Sequence, residues 1–339
     1  MSSTDQNQPT SPAVAAWLGA TLPGLGLTFG IAVLATAAHR FSGIPALSPL
    51  VVAMVLGMAL RNLVGTPGAA RPGIGFSLRR VLRFAIVLLG FQLTLEQLRA
   101  VGLPGVAVIA VVLAATFAFT RWAGRALGVE ARLAELIAAG TSVCGASAVI
   151  ATNTVTRGTD EDVAYAIACV TVFGSLSMIA MPLLGEMLAM GPAHYGIWVG
   201  ATVHEVAQVV GAGFQHGAEA GQAATVAKLS RVMLLAPLIL VLGTLARRGG
   251  KAAHGAAPTP WFVLGFIAVV LLNSALPLPE PLHAEVVALT AFLLTMALAA
   301  MGLETDIRKL RAKGIRPLAL GALAWLFIST LGLGLVALL

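Results

Sequence analysis

From Ala13 to the C-terminus the chain is a succession of apolar stretches, broken at short intervals by Gly, Pro and Arg. Each stretch is about 20 residues long, enough as a helix to cross a hydrocarbon core of about 30 Å. Inside that core backbone polar groups must be satisfied within the chain, so the stretches are expected to be helical. Composition agrees, with 58% hydrophobic and only 10% charged residues, against about 25% charged in soluble domains. Almost nothing remains to build a soluble unit. The reading is an all-α polytopic membrane protein. Its spans are expected near 13–38, 46–64, 80–95, 103–122, 133–153, 162–189, 194–213, 223–246, 260–276, 284–303 and 315–338, about eleven transmembrane helices of the required length. A disordered cytoplasmic tail over 1–12 is expected to precede a single transmembrane domain over 13–339. The tail holds Asp5 and no Lys or Arg, so it lacks a secretory n-region and the first stretch is expected to remain as a helix.

The net charge of +7 would suit a nucleic-acid binder only if the cations formed one surface. They fall in loops instead. With eleven spans, sixteen of the 21 Lys and Arg residues lie on one side and five on the other, namely Arg40, Arg99, Arg157, Lys228 and Arg231. The positive-inside rule then puts the N-terminus in the cytoplasm and the C-terminus in the periplasm of a bacterial inner membrane. Pro67–Gly68, Pro72–Gly73 and Gly249–Gly250 read as linker breakers. Cys144 and Cys169 lie in apolar stretches without metal-ligand spacing and read as small buried hydrophobes.

Two internal echoes stand out. Gly90–Val106 (GFQLTLEQLRAVGLPGV) aligns without gaps on Gly302–Leu318 (GLETDIRKLRAKGIRPL). The two segments would face opposite sides, which is the mark of an inverted repeat of the secondary-transporter kind. The second echo pairs Gly140–Val143 (GTSV) with Gly200–Val203 (GATV). Counting spans makes those helices parallel, so either one of them is broken or re-entrant, or the echo is shared packing chemistry.

Three polar constellations sit at membrane depth. Gly140 to Ser147 (GTSVCGAS) is dense in small residues. It reads either as close helix packing or as an unwound segment whose N–H groups could hold an anion. Thr141, Ser142, Cys144, Gly145 and Ser147 are the candidate substrate contacts there. His204 and Glu205 are ionisable residues inside a span and read as ion-coupling groups. Gln208 shares a helix face with His204 as a further substrate contact. His-Glu-x-x also suggests a zinc protease, but that motif needs a second His where Gln208 stands. Lys228 and Arg231, three apart near the start of the eighth span, could attract an anion or snorkel to the headgroups. No metal site and no cofactor is expected. The phosphate-binding pattern G-x-x-x-x-G-K-[ST] is missing, so ATP hydrolysis by this chain is not expected.

GTSVCGASAVIAT, ATVHEVAQVVGAG and AKLSRVMLLAP, in that order, resemble the YeiH-type sulfate-exporter family of bacterial inner-membrane proteins. GFQLTLEQLRAVG, PWF at Pro260–Phe262 and MGLETDIRKL extend the resemblance over the whole chain. Val143 and Gly211 depart from many members of that family, which carry Ile and Ala there. The resemblance implies a multi-helix carrier similar to bile-acid symporter and cation–proton antiporter folds, exporting sulfate or a related sulfur oxyanion. On that reading the partners are a small inorganic or organic anion, the lipid bilayer and a coupling H+ or Na+, with a homo-oligomer left open and nucleic acid excluded. Two rivals remain, a cation antiporter using Glu205 as ligand and a passive anion channel.

Overall fold

The computed structural model describes residues 11–42, 48–96, 102–248, 261–276, 278–308 and 313–339, and every regular element among them is a helix. In chain order these are α1 (Ser11–Ser42), α2 (Pro49–Leu63), α3 (Arg71–Phe76), α4 (Leu82–Leu89), α5 (Gly102–Ala126), α6 (Ala131–Ser142), α7 (Ala146–Thr156) and α8 (Asp160–Met187). Then come α9 (Pro192–Thr202), α10 (Val206–Gly213), α11 (Ala218–Met233), α12 (Leu235–Arg248), α13 (Trp261–Ala275), α14 (Glu280–Glu304) and α15 (Ile315–Val336). Six runs are long and apolar enough to cross a bilayer: Ala16–Phe41, Pro104–Ala126, Asp160–Met187, Ala218–Thr244, Glu280–Glu304 and Ile315–Val336. α2 and α13 are shorter apolar helices. Most of the expected tail, and residues 97–101 and 309–312 within the first echo, lie outside the described residues.

The expected third span begins earlier than its sequence suggests. A continuous helical run extends from Gly68 to Gln92, with a wider π-type turn at Ser77–Val81 between α3 and α4. Pro72 does not break it, because a proline in the first turn lacks only an N–H that the helix leaves unpaired anyway. Gly73 is a contact rather than a hinge. A Cβ there would come within 2.6 Å of Leu25 N on α1.

The expected spans 133–153 and 194–213 are each two helices folded back on themselves. In the first, Thr156 Oγ1 at the end of α7 donates to Glu135 Oε1 near the start of α6, at 2.7 Å. In the second, Tyr195 OH near the start of α9 donates to Ala212 O near the end of α10, at 3.1 Å, and its ring lies 4.3 Å from that of His216. Both segments are therefore helical hairpins, and neither is a single rod. Gly145 turns the first tip with φ of 64°, a left-handed conformation that a residue with a Cβ adopts only with strain. Val203 and Glu205 turn the second in extended conformations.

This changes the direction of α8. With eleven straight spans, Asp162 and Lys313 would lie on opposite sides of the membrane. In the structure they form an ion pair, with Asp162 fully buried. Arg61 and Asp306 pair at 2.9 Å on that same side, between the end of α2 and the segment after α14.

The helices pack in two groups. α1, α2, α3, α4, α13 and α14 pack mainly on one another, and α5 to α11 pack with α15. Within the first group, glycines set the closest approaches: a Cβ on Gly90 would meet Phe266 O of α13 at 2.8 Å, and one on Gly302 would meet Met58 N of α2 at 2.7 Å. Two similar hydrogen-bond clasps close the group. Asn62 Nδ2 donates to Thr305 O at 2.9 Å and Asn62 Oδ1 accepts from Ile307 N at 3.0 Å. Asn273 Nδ2 donates to Leu93 O at 3.0 Å and Ser274 Oγ accepts from Leu95 N at 2.8 Å.

Candidate functional site

The two hairpin tips meet. Breaking a helix inside the protein exposes four backbone ends: the C-termini of α6 and α9, which carry partial negative charge, and the N-termini of α7 and α10, which carry partial positive charge. Unpaired, each would be costly at this depth. The side chains that answer them are those that the sequence singles out.

Lys228 and Arg231 of α11 meet the negative ends. Lys228 Nζ donates to Val143 O at 2.8 Å and to Val203 O at 2.7 Å. Arg231 Nε donates to Ser142 O at 2.6 Å, Nη1 to Val203 O at 3.1 Å, and Nη2 to Thr141 O. Both cations are fully buried. α11 begins at Ala218, so they stand roughly 15–20 Å along its axis, beyond reach of the headgroups. The expected snorkelling alternative therefore does not apply. Their donors are directed at backbone carbonyls, and any attraction for an anion comes from charge lying beneath the tips.

Glu205 meets the positive end of α7. Its Oε1 accepts from Ala146 N at 2.6 Å. Gly145 makes the approach possible, because a Cβ there would overlap the Glu205 carboxylate. Gln208 fastens the second hairpin: its Oε1 accepts from Glu205 N at 3.1 Å, and its Nε2 donates to Thr171 O at 3.0 Å and Ser175 Oγ at 3.2 Å on α8. Ser142 Oγ donates to Ala138 O at 2.6 Å within its own helix. His204 is 1% exposed, and neither ring nitrogen has a partner among the described residues. Cys144 and Cys169 are free and buried, as expected of small hydrophobes.

A cavity of about 840 Å³ opens between the two helix groups and ends at the tips. Cys144, Ala146, Ser147 and Glu205 line its deep end. Asp160 and Glu304, both exposed, line it near the face that carries the Asp162–Lys313 pair. The opposite wall carries Arg79 and Arg83, on the α3–α4 run. Arg79 Nε donates to Gly75 O at 3.2 Å, and the Arg83 guanidinium stands 5.9 Å from the centre of the Phe262 ring on α13. Sequence reasoning counted these two arginines only as loop charges. Their spacing of four within an apolar run puts both on one helix face, which is the signal that could have found them.

Of the ten candidate residues, then, Cys144, Ser147 and Glu205 line the cavity. Thr141, Ser142, Gly145, His204, Gln208, Lys228 and Arg231 form the tips or the layer that holds them.

A family model described as "Conserved hypothetical protein 698" matches residues 23–321. A UPF0324 membrane protein of Pseudomonas aeruginosa is 41% identical over 325 residues, covering 91% of this chain and 92% of its own. One from Agrobacterium fabrum is 37% identical over 327 residues, covering 95% and 94%. The UPF0324 inner membrane protein YeiH of Salmonella typhi is 37% identical over 323 residues, covering 91% of each. No solved structure matches. With identities of that size over nearly its whole length, the chain belongs to the UPF0324 family of membrane proteins, the YeiH group that its motifs resemble.

Proposed function

We propose that the protein is a secondary carrier of a small oxyanion, sulfate or a related sulfur oxyanion, that works by alternating access in the bacterial inner membrane. The observation that carries this reading is the meeting of two re-entrant hairpin tips at the deep end of a cavity that opens toward one membrane face. Broken helices that present their ends to one another near the midplane are the usual substrate site of secondary carriers.

The topology in this proposal has nine crossings in place of eleven, with a hairpin inserted from each side. Removing two crossings keeps the number odd, so the N-terminus stays cytoplasmic and the C-terminus periplasmic. It also moves Arg157 to the cytoplasmic side, giving seventeen of the 21 cations there (sixteen plus Arg157). The cavity then opens to the cytoplasm. An inverted repeat relates α2 and the α3–α4 run to α13 and α14. The Asn62 and Asn273 clasps support it: each ties the end of the first helix of its pair to the residues just after a glycine-packed helix of the other pair.

In this scheme Arg79 and Arg83 draw the anion into the cavity. Cys144, Ser147 and the α7 N-terminus contact its oxygens, and Thr141, Ser142, Gly145 and Gln208 hold the tips in register. Lys228 and Arg231 stabilise the site electrostatically, and Glu205 or His204 carries a coupling ion. The carboxylate at the cavity's deep end also supports a second reading, a cation antiporter with Glu205 as ligand. Uptake of labelled sulfate into proteoliposomes separates them. Saturable uptake inhibited by sulfite or thiosulfate, and sharply reduced in Arg83→Ala, supports the anion carrier. Sodium flux with no sulfate flux supports the antiporter.

A further inference from the structure

The Glu205 carboxylate sits where an oxyanion would. Its Oε1 is 2.6 Å from Ala146 N, at the start of a helix of eleven residues, and it lines the deep end of the cavity. The hydrogen-bond donors of the two cations beneath the tips are directed at the hairpin ends rather than at a second anion. Lys228 holds two backbone carbonyls, and Arg231 holds three. Next to Glu205 in the chain, His204 is 1% exposed with both ring nitrogens unpaired among the described residues, so the tip holds hydrogen-bonding capacity that its own neighbours leave unused.

A carboxylate oxygen and a substrate oxygen cannot share one N–H at that distance, and two anions side by side in a site of low dielectric repel strongly. Protonation removes both obstacles. The proton from cytoplasmic water adds to Glu205, whose oxygen then accepts more weakly, and the O–H can itself donate to an oxyanion.

We propose that Glu205 is a tethered stand-in for the transported oxyanion, so that the cytoplasmic cavity takes up one proton with each anion it binds. This rests on the oxyanion-carrier reading and specifies its coupling: proton and anion travel together rather than in exchange. The charged and titratable groups around Glu205 are Cys144 on the first tip, Lys228 and Arg231 on α11, and His204 beside it in the chain. Arg79 and Arg83 stand on the opposite wall, with Asp160 and Glu304 nearer the mouth.

The test is calorimetric titration of the purified full chain from pH 5.5 to 8 with sulfate and thiosulfate, which stay fully ionised over that range, together with proton uptake from weakly buffered solution. About one proton should enter per anion bound, and affinity should fall about tenfold per pH unit above the Glu205 titration range. Glu205→Gln, which keeps the shape of the protonated acid, should bind the same anion with no proton uptake and with an affinity that does not change with pH. The wild-type proton count needs no variant, so misfolding of Glu205→Gln would not remove the test. Anion binding with no proton uptake, or proton uptake that persists in Glu205→Gln, overturns the coupling and leaves the oxyanion-carrier reading standing. No binding of either anion overturns that reading, and the coupling falls with it.

Discussion

The two hairpins have the same design and different surroundings. In the first, α7 carries Ser147 and Ile150 on the cavity wall, and Ile150 is 57% exposed. In the second, every residue of α10 is buried, packed against α8 and α11. Their tips differ too. The first offers backbone groups and small side chains around Gly145, whereas the second brings His204, Glu205 and Gln208. One hairpin forms a wall open to solvent, and the other plugs the deep end. On the proposed carrier reading this is the cytoplasm-facing state, and the two hairpins exchange roles after turnover.

Lys228 and Arg231 both join the two hairpins, and removing Arg231 should have the largest effect. Arg231→Ala would leave the Thr141, Ser142 and Val203 carbonyls without this donor. It should cost about 3–5 kcal/mol and lower the melting temperature by on the order of 10 °C. A fall of only a degree or two would mean that the tips are held by something else.

Next is Gly145→Val. Its side chain would meet Glu205, and its backbone would be strained at φ of 64°. The strain is about 1–3 kcal/mol, so the protein should fold while transport is lost. Transport at the wild-type rate would show that Glu205 need not rest on Ala146.

Solvent exposure distinguishes the hairpins directly. In a Cys144→Ala background, Ser147→Cys should react with a charged thiol reagent from the cytoplasmic side at least about tenfold faster than Val209→Cys on the buried hairpin. Equal rates would contradict the plugged state of the second hairpin. The smallest effect expected is that of Arg79→Ala. It should raise the apparent KM for the anion roughly threefold, less so at high salt, because Arg79 is exposed and acts at a distance. No change at low salt would remove its role in drawing anions in.

Much of this was legible in the sequence, and the reasons for the failures are specific. Hydropathy located every apolar segment, and the rarity of ionisable groups at membrane depth pointed to His204, Glu205, Lys228 and Arg231, which the fold gathers at one place. Hydropathy could not separate a hairpin from a span. Two half-helices and a three-residue turn, as in 131–156, are as long and as apolar as one crossing helix. The discriminating facts, the left-handed Gly145 and the contact of Thr156 with Glu135, are tertiary. The echo of GTSV in GATV was the remaining clue, since both strings end the inward arm of a hairpin. Arg79 and Arg83 were missed for a different reason. Pro72–Gly73 looked like a break, yet it starts the helix that carries them.

Re-entrant insertion of both hairpins reverses α8 relative to a ladder of eleven spans. Single cysteines at Glu161, exposed at the start of α8, and at His194, exposed at the start of α9, test it directly in a background without Cys144 and Cys169. With a membrane-impermeant thiol reagent, Glu161→Cys should be labelled only from the cytoplasm and His194→Cys only from the periplasm. The reverse pattern, periplasmic at 161 and cytoplasmic at 194, would restore the straight spans and contradict the meeting of the tips.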